Sequence, residues 1–328
     1  MKSSISAMRR LIAKFFVAAL AFTPLAHASP ISQPIRLVVP YPPGGATDLI
    51  GRAVGKAISD SLGVTVVVEN KGGAAGSIGA AEVSRAKPDG QTLLLAALSS
   101  HAIYQAFNPD TVQFDLKKSF DAVSIIGEVP QGFVVNPSVK ANTLAEFLAL
   151  ARSKPGAISI ASAGSGSTQQ MAAILLAANA EVDLLQVTYK GSGPAVTDLL
   201  AGHVDSMFGS LPSVQEHISS GGVRLLAVTS AERLKSAPDV PTVKETGIKN
   251  FDVNSVFGIL APAGTPPERI KLIAQGIERG LADAAIQETL QHHGVVIGFQ
   301  GPDQAQASVA AEADKWVDVV KRTGVRPQ

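Results

Sequence analysis

The 328-residue chain contains no cysteine. Its fold therefore rests on no disulfide, and neither a thiol nucleophile nor a thiolate metal ligand is available to it. A chain of this length can build an apolar core that does without such staples. An excess of charge is missing too: 28 Lys and Arg stand against 27 Asp and Glu, and part of the positive side lies before Phe15. That balance provides no basic groove for a phosphate backbone, so nucleic acid is not an expected partner. Long apolar runs are also absent. Phe15–Phe22 falls far short of the ~20 residues that span a bilayer, and Leu93–Leu98 and Leu225–Val228 are briefer still.

Familiar catalytic and nucleotide motifs are missing as well. Gly164-Ser165-Gly166 has Gln169 where a dinucleotide loop needs its third glycine, and Gly55-Lys56 lacks the earlier glycine of a phosphate loop. No Gly-x-Ser-x-Gly elbow and no His-Glu-x-x-His occurs. His292-His293 falls on a helical stretch with no carboxylate at ligand spacing, so it reads as solvated surface, as do His203 and His217. No cofactor and no metal are expected.

What is present begins with an export signal. Lys2, Arg9, Arg10 and Lys14 precede the apolar run, and Ala26-His27-Ala28 supplies the small-residue cleavage pattern. Residues 1–28 are read as a signal peptide cleaved after about Ala28, which takes the mature chain out of the cytoplasm. Its remaining length exceeds the usual single domain and favours two lobes.

Strand, turn and helix then alternate. Ile35–Val39 is a β-branched run, and Leu49, Ala53, Val54, Ala57, Ile58 and Leu62 recur at helical spacing. Val64–Val68, Gln91–Ala97, Val134-Val135, Ile158–Ile160, Leu184–Thr188, Ser206–Phe208, Val223–Thr229 and Val256–Leu260 read as further strands, with helices between most of them. Regular alternation implies α/β architecture with parallel sheets, and a chain that crosses twice between two such layers leaves a cleft.

Three turns share one character: Pro42-Pro43-Gly44-Gly45-Ala46-Thr47-Asp48, Gly164-Ser165-Gly166-Ser167-Thr168, and Lys190-Gly191-Ser192-Gly193-Pro194. Each joins a strand's C-terminal end to a helix N-terminus, where unpaired N–H groups and the positive dipole end can receive an anion that glycine leaves unobstructed. Simple helix capping by Thr47, Ser167 or Ser192 is the alternative for any one turn alone. Tyr41 adjoins the first turn, either against a ligand or in the core. Ser99 and His101 follow the third strand, where His101 either faces the cleft or packs. Lys190 pairs with a ligand carboxylate or with a protein one. An exported α/β hydrolytic enzyme built on Ser100, His101 and Asp48 competes with a binding protein; it requires those side chains within hydrogen-bond reach.

Val39–Asp48, Val67–Ala74, Pro88-Asp89-Gly90, Val135–Ser138, Tyr189–Ser192, Thr197–Gly202, Asp239–Val243 and Leu260–Pro266 together resemble Bug-type solute receptors, also called the tripartite tricarboxylate transporter substrate-binding family. The resemblance covers essentially the whole mature chain. It implies a two-lobed (type II) periplasmic binding protein with its cleft between two mixed or parallel sheets, lobe 1 comprising 29–130 and 253–328 and lobe 2 comprising 131–252. It further implies a non-enzymatic monomer that captures a small carboxylate (a di- or tricarboxylate, amino acid or aromatic acid) for membrane permease subunits. A ligand-sensing receptor for a signalling system is the alternative. The implied contacts are Pro43–Asp48, Ser165–Thr168 and Lys190–Gly193, and Tyr41, Ser99, His101, Gly164 and Tyr189 beside them complete the expected ligand-binding set. Asp48 either meets a ligand amino group or caps its helix. Lys71, Ser165–Thr168 and Gly209 depart from the residues common in the family.

Overall fold

The computed structural model describes residues 33–44, 46–189, 191–234, 237–249, 251 and 253–325. The export signal, Gly45 and Lys190 lie outside the described residues.

The first part of the chain forms β1 (Ile35–Val39), α1 (Ala46–Leu62), β2 (Val66–Asn70), α2 (Ser77–Ser84), β3 (Thr92–Ala97), α3 (Leu98–Phe107) and β4 (Phe120–Val129). Pro130 alone separates β4 from β5 (Gln131–Val135). There follow α4 (Leu144–Ser153), β6 (Ser159–Ser162), α5 (Thr168–Ala180), β7 (Leu185–Thr188), α6 (Ser192–Ala201), β8 (Ser206–Ser210), α7 (Leu211–Ser219) and β9 (Arg224–Val228). The chain closes with β10 (Ser255–Pro262), α8 (Pro267–Leu281), α9 (Ala284–His292), β11 (Val296–Gln300) and α10 (Pro302–Thr323).

Local chemistry accounts for several boundaries. Thr143 Oγ1 accepts from Glu146 N at 3.1 Å and the Glu146 carboxylate accepts from Asn142 N at 2.7 Å, which fixes the start of α4. Asp283 receives two N–H groups at the start of α9, and Gly202 ends α6 in the left-handed conformation. In α1, Ala53, Val54, Ala57 and Ile58 of the helical spacing are buried, with Ile50 added to the stripe, while Leu49 and Leu62 are half-buried. That stripe packs on α8 so closely that a methyl group on Gly280 would lie 2.6 Å from the Ala57 carbonyl oxygen.

The strands form two sheets, ordered β11-β4-β10-β3-β1-β2 and β7-β6-β8-β5-β9. The parallel sets expected from the alternation are β2-β1-β3 and β7-β6-β8. Neither sheet is wholly parallel, because β10 runs antiparallel to β3 and β4, and β5 runs antiparallel to β8 and β9. The cause is connectivity: β5 follows β4 with no helical crossover, and β10 returns from the second sheet into the first. β4 and β11 are not among the strands read from the sequence. β4 is buried along most of its length and so lacks alternation. β2 runs two residues later than its apolar run suggests, since the register carries pairing to Val39 opposite Asn70.

Register also places the functional ends. Val129 lies opposite Ser255 and Ala97 opposite Phe257, so β3 and β4 end where β10 begins. Ser210 lies opposite Gln131 and Val228 opposite Gly132, so β8 and β9 end where β5 begins. The C-terminal ends of both parallel sets thus lie along the side at which the chain crosses between sheets.

A buried polar cluster holds that crossing. The Thr229 hydroxyl donates to Asn254 Oδ1 at 2.7 Å and accepts from Gln131 N at 2.8 Å. Asn254 Nδ2 donates to Glu128 Oε2 at 3.0 Å, and Gln131 Nε2 donates to Ser255 Oγ at 3.1 Å. The Ser99 hydroxyl donates to Asn254 O at 2.8 Å and accepts from Val256 N at 3.1 Å. Beside it the second sheet buries the aromatic set Phe133, Phe147, Phe208 and Phe251, with neighbouring ring centroids 4.8–5.7 Å apart.

Asn254→Ala leaves the buried Thr229 hydroxyl without its acceptor, and the expected loss is about 1–3 kcal/mol of unfolding free energy. Urea unfolding should show a lower midpoint with an unchanged slope. Thr229→Ala combined with Asn254→Ala should lose less than the sum of the single changes, because each single change already removes the bond the two residues share.

Candidate functional site

The turn from β1 to α1 is organised by Asp48, which is 2% exposed. Its Oδ2 accepts from Gly44 N at 3.0 Å and from Arg52 Nε at 3.0 Å, and its Oδ1 accepts from Asn70 Nδ2 at 2.9 Å. Asn70 Nδ2 also donates to Tyr41 O at 3.0 Å. One carboxylate and one amide thereby tie the turn to the end of β2. Gly44 adopts φ +85°, a conformation that a side chain would strain, and Pro43 and Gly44 remain exposed. Thr47 is half-buried. Ala46 opens the helix.

The segment after β2 leans on this turn. The Tyr41 hydroxyl donates to Ala75 O at 3.1 Å, and Ala74, Ala75 and Gly76 all take positive φ. Gly76 is required there: a methyl group would lie 2.8 Å from His101 Nε2 and 3.3 Å from Tyr41 Cε2. His101 is fully buried, edge-on to Phe114 at 5.9 Å, with neither ring nitrogen hydrogen-bonded. Desolvation pushes its pKa down to about 4, outweighing the attraction of the nearby Gly76 backbone, so the ring is neutral at physiological pH. His101 is thus buried between Gly76 and Phe114.

The second sheet contributes two adjoining turns. Ser167 caps α5 by accepting from Gln170 N at 3.2 Å, and the Gln170 side chain accepts from Gly166 N at 2.8 Å. Gly191 N donates to Ala163 O at 3.0 Å and Tyr189 N to Ser162 O at 3.0 Å, which sets Gly164–Thr168 beside Tyr189–Gly193. A methyl group on Gly166 would touch Ile103 and Phe107 of α3 at 3.8 Å, so this turn meets the first sheet's helix. Thr168 is buried, its hydroxyl 3.0 Å from Ser255 Oγ. The Tyr189 hydroxyl donates to Asp198 Oδ2 at 2.7 Å; burial first, then this carboxylate, pushes it up to about 12.

The candidates read from sequence therefore divide. Pro43, Gly44, Ser165 and Gly193 are exposed and Ser192 is half-buried, whereas Asp48, Ser99, His101 and Thr168 are buried supports. Neither α3 nor α6 has a side-chain cap, so their N-terminal N–H groups are not taken by their own cap residues. The sequence reading missed Asn70 and Gln170; an asparagine ending a strand, where Asn is disfavoured, was the available signal for the first.

The arrangement suits anion binding and does not form an acid–base relay. Both Asp48 oxygens are occupied by Gly44, Arg52 and Asn70, and His101 hydrogen-bonds to neither Ser100 nor Asp48. His292 and His293 end α9 with ring centroids 5.5 Å apart, and among the described residues no cluster of three metal-ligating side chains occurs. No helix among the described residues is long and apolar enough to cross a membrane.

Burial alone would raise the Asp48 pKa, but the bonds from Arg52, Gly44 and Asn70 outweigh it and hold the carboxyl below the ordinary range. Its contribution to stability is therefore complete above the unfolded value of about 3.9 and is lost as pH falls through the lower folded value. Asp48→Asn should cost about 1–3 kcal/mol at pH 7. Urea midpoints should show the gap to the native chain narrowing when both are measured at pH 3 and below.

Residues 50–325 match the sequence profile of the Tripartite tricarboxylate transporter family receptor. BugT of Bordetella pertussis is 34% identical over 322 residues, spanning 97% of this chain and 99% of BugT. Among solved structures, the periplasmic binding protein BugD is similar with a TM-score of 0.77 at 34% identity, over 90% of this chain and 99% of that one. Rpa4515 of R. palustris, solved with adipate, reaches a TM-score of 0.79 at 29% identity, over 91% and 99% of the two chains. MatC of Rhodopseudomonas palustris, solved with bound malate, reaches 0.76 at 29% identity, over 88% and 99%. With this profile match, near-full-length relatives and two mixed sheets in common, the chain belongs to the tripartite tricarboxylate transporter receptor family, the Bug-type periplasmic solute-binding proteins.

Proposed function

We propose that this receptor captures a small carboxylate between its two sheets and presents it to the membrane permease subunits of a tripartite tricarboxylate-type transporter. The observation that carries the reading is the placement of Gly44, Gly164–Thr168 and Gly191–Gly193 at strand ends on the crossing side. Ligands of α/β sheets bind at such ends, where helix N-termini offer N–H groups and a positive dipole. Rpa4515 with adipate and MatC with malate favour an acid with two carboxylates.

In this reading the signal is removed after about Ala28 and the mature protein acts as a monomer. Residues 29–130 and 253–328 form one lobe and 131–252 the other, and they close about the crossings at Pro130 and near Asn254. Ligand contacts come from Pro43–Thr47, Gly164–Ser167 and Lys190–Gly193, with Asp48, Ser99, His101 and Thr168 acting from behind. Tyr41 and Tyr189 hold the turns through their hydroxyls. Closure around one carboxylate makes a form that the permease can distinguish from the empty receptor.

Gly193 gives the cleanest test, since a methyl group there would meet nothing within 4 Å and its φ is not left-handed. Gly193→Val should fold normally yet lose at least a hundredfold in affinity, because its side chain enters the anion's approach. Calorimetry and melting temperature with malate and adipate would read this; a ligand at about 100 times its Kd stabilises by about 2.7 kcal/mol. Wild-type affinity in the variant would remove Gly191–Gly193 from the contact surface.

A further inference from the structure

The stretch Thr197–Gly202 forms the C-terminal half of α6 and its cap, away from the strand-end turn that opens the helix. Asn136, just past β5, fixes this half. Its Nδ2 donates to Leu199 O at 2.7 Å and to Leu200 O at 3.4 Å, while its Oδ1 accepts from Ser138 N at 2.9 Å. Ala195, Val196 and Leu199 of α6 are buried in one cluster with Val134, Ala161 and Met207 of the second sheet. The helix is therefore a fixed support.

The turn in front of it is less well provided. Gly191, at the N-cap, has no side chain with which to cap the helix, and it takes φ +116°. Asp198 reaches this turn from within the helix: its Oδ2 accepts from the Tyr189 hydroxyl at 2.7 Å, nine residues back along the chain. Asp198 is the seventh residue of α6 and stands about 9 Å along the axis from Ser192. The Tyr189 ring bridges that distance and packs against the same apolar cluster. The Tyr189 hydroxyl first, then His203, hold the Asp198 carboxyl below the ordinary range, so the bond is charge-assisted at neutral pH. Exposed ion pairs contribute little because two long side chains must be ordered to make them. Here the donor sits on a ring that packing already orders. The backbone N–H groups on either side of Lys190 complete the frame, Tyr189 N donating to Ser162 O and Gly191 N to Ala163 O, each at 3.0 Å.

We infer that Asp198 is a positioning residue of the receptor: through the Tyr189 hydroxyl it holds the Gly191–Gly193 turn in its binding arrangement, and Tyr189 serves the site through this bond and not by touching the ligand. The effect on affinity rests on the carboxylate-capture reading above; the effect on the turn does not. A turn that is held before the ligand arrives does not have to be ordered when it binds, and affinity rises by the ordering that is avoided. Loss of the tether returns that cost and shows mainly as faster release.

The mature receptor, Asp198→Ala, Tyr189→Phe, the double variant and Asp198→Asn are compared by calorimetry with malate and adipate. Amide exchange at Tyr189 and Gly191 is followed by NMR with no acid added. Asp198→Ala and Tyr189→Phe should each bind about tenfold more weakly, and the double variant no more weakly than either. Asp198→Asn keeps an acceptor oxygen for the hydroxyl and should recover most of the loss. Exchange at Tyr189 and Gly191 should quicken in the first three variants and stay near native in Asp198→Asn. A merely stabilising Asp198 would lower the melting temperature and leave affinity and these two amides unchanged, which overturns the inference. A loss confined to Tyr189→Phe, with native affinity in Asp198→Ala, also overturns it and makes Tyr189 a direct contact. If the native receptor binds neither acid, the capture reading loses its support and the exchange data decide: quickening in both single variants supports the holding role, and native exchange in Asp198→Ala overturns it.

Discussion

The fold depends on how the chain crosses from one sheet to the other without leaving polar backbone stranded. Two passages have to lie side by side in a buried place, where an unpaired donor costs about 1–3 kcal/mol. Thr229 and Asn254 meet the need from the returning passage, Gln131 from the outgoing one, and Ser99 from the first turn of α3. Because Asn254 binds both Thr229 and Glu128, one side chain joins the end of β9 in the second sheet to β4 in the first. The antiparallel strands β5 and β10 follow from the same event, each starting at the crossing and running away from it.

A second, local constraint shapes the opening. The Pro- and Gly-rich turn after β1 has little side-chain packing of its own, so its path needs an internal tether. Asp48 and Asn70 supply it through charge-assisted and neutral hydrogen bonds that converge on Gly44 and Tyr41. Tyr41 then passes the restraint to Ala75, and Gly76 passes it by contact to His101. Gly44 stands exposed at the end of this chain of polar groups, which holds it in place without filling the space in front of it.

Much of this was legible in the sequence, for a physical reason. Glycine turns between β-branched runs and amphipathic helices are local signals, and so the parallel strands, α1, α4 and the three strand-end turns fell close to where spacing put them. Long-range pairings were not legible. Gln131 and Ser255 are 124 residues apart and Ser99 and Asn254 are 155 apart, and nothing in the neighbourhood of any of them signals the partner. β4 escaped because a strand buried on both faces loses the alternation that marks a strand, and Asn70 because pairing with Val39 carried β2 past its apolar run. Asp48 was legible as a residue and ambiguous as a role: the sequence allowed a cap or a ligand partner, and the structure gives its oxygens three bonded neighbours, Gly44, Arg52 and Asn70.

The supports also join the opening to the crossing through α3. Its first turn holds Ser99, bonded to Asn254 and Val256 at the crossing, and His101, packed against Gly76 under the first turn. Its later turns hold Ile103 and Phe107, which lie within 3.8 Å of where a methyl group on Gly166 of the second sheet's turn would stand. A rigid helix of ten residues therefore touches the crossing, the first sheet's opening and the second sheet's opening at once. In the proposed closure, Gly166 slides against Ile103 and Phe107 through apolar contact, which resists sliding weakly, while Ser99 keeps α3 fixed to β10 by two directed hydrogen bonds. Around α3 the contact with the second sheet's turn is apolar and non-directional and the bonds to β10 are directed, while Thr168, two residues beyond Gly166, adds a directed contact between the sheets, its hydroxyl 3.0 Å from Ser255 Oγ.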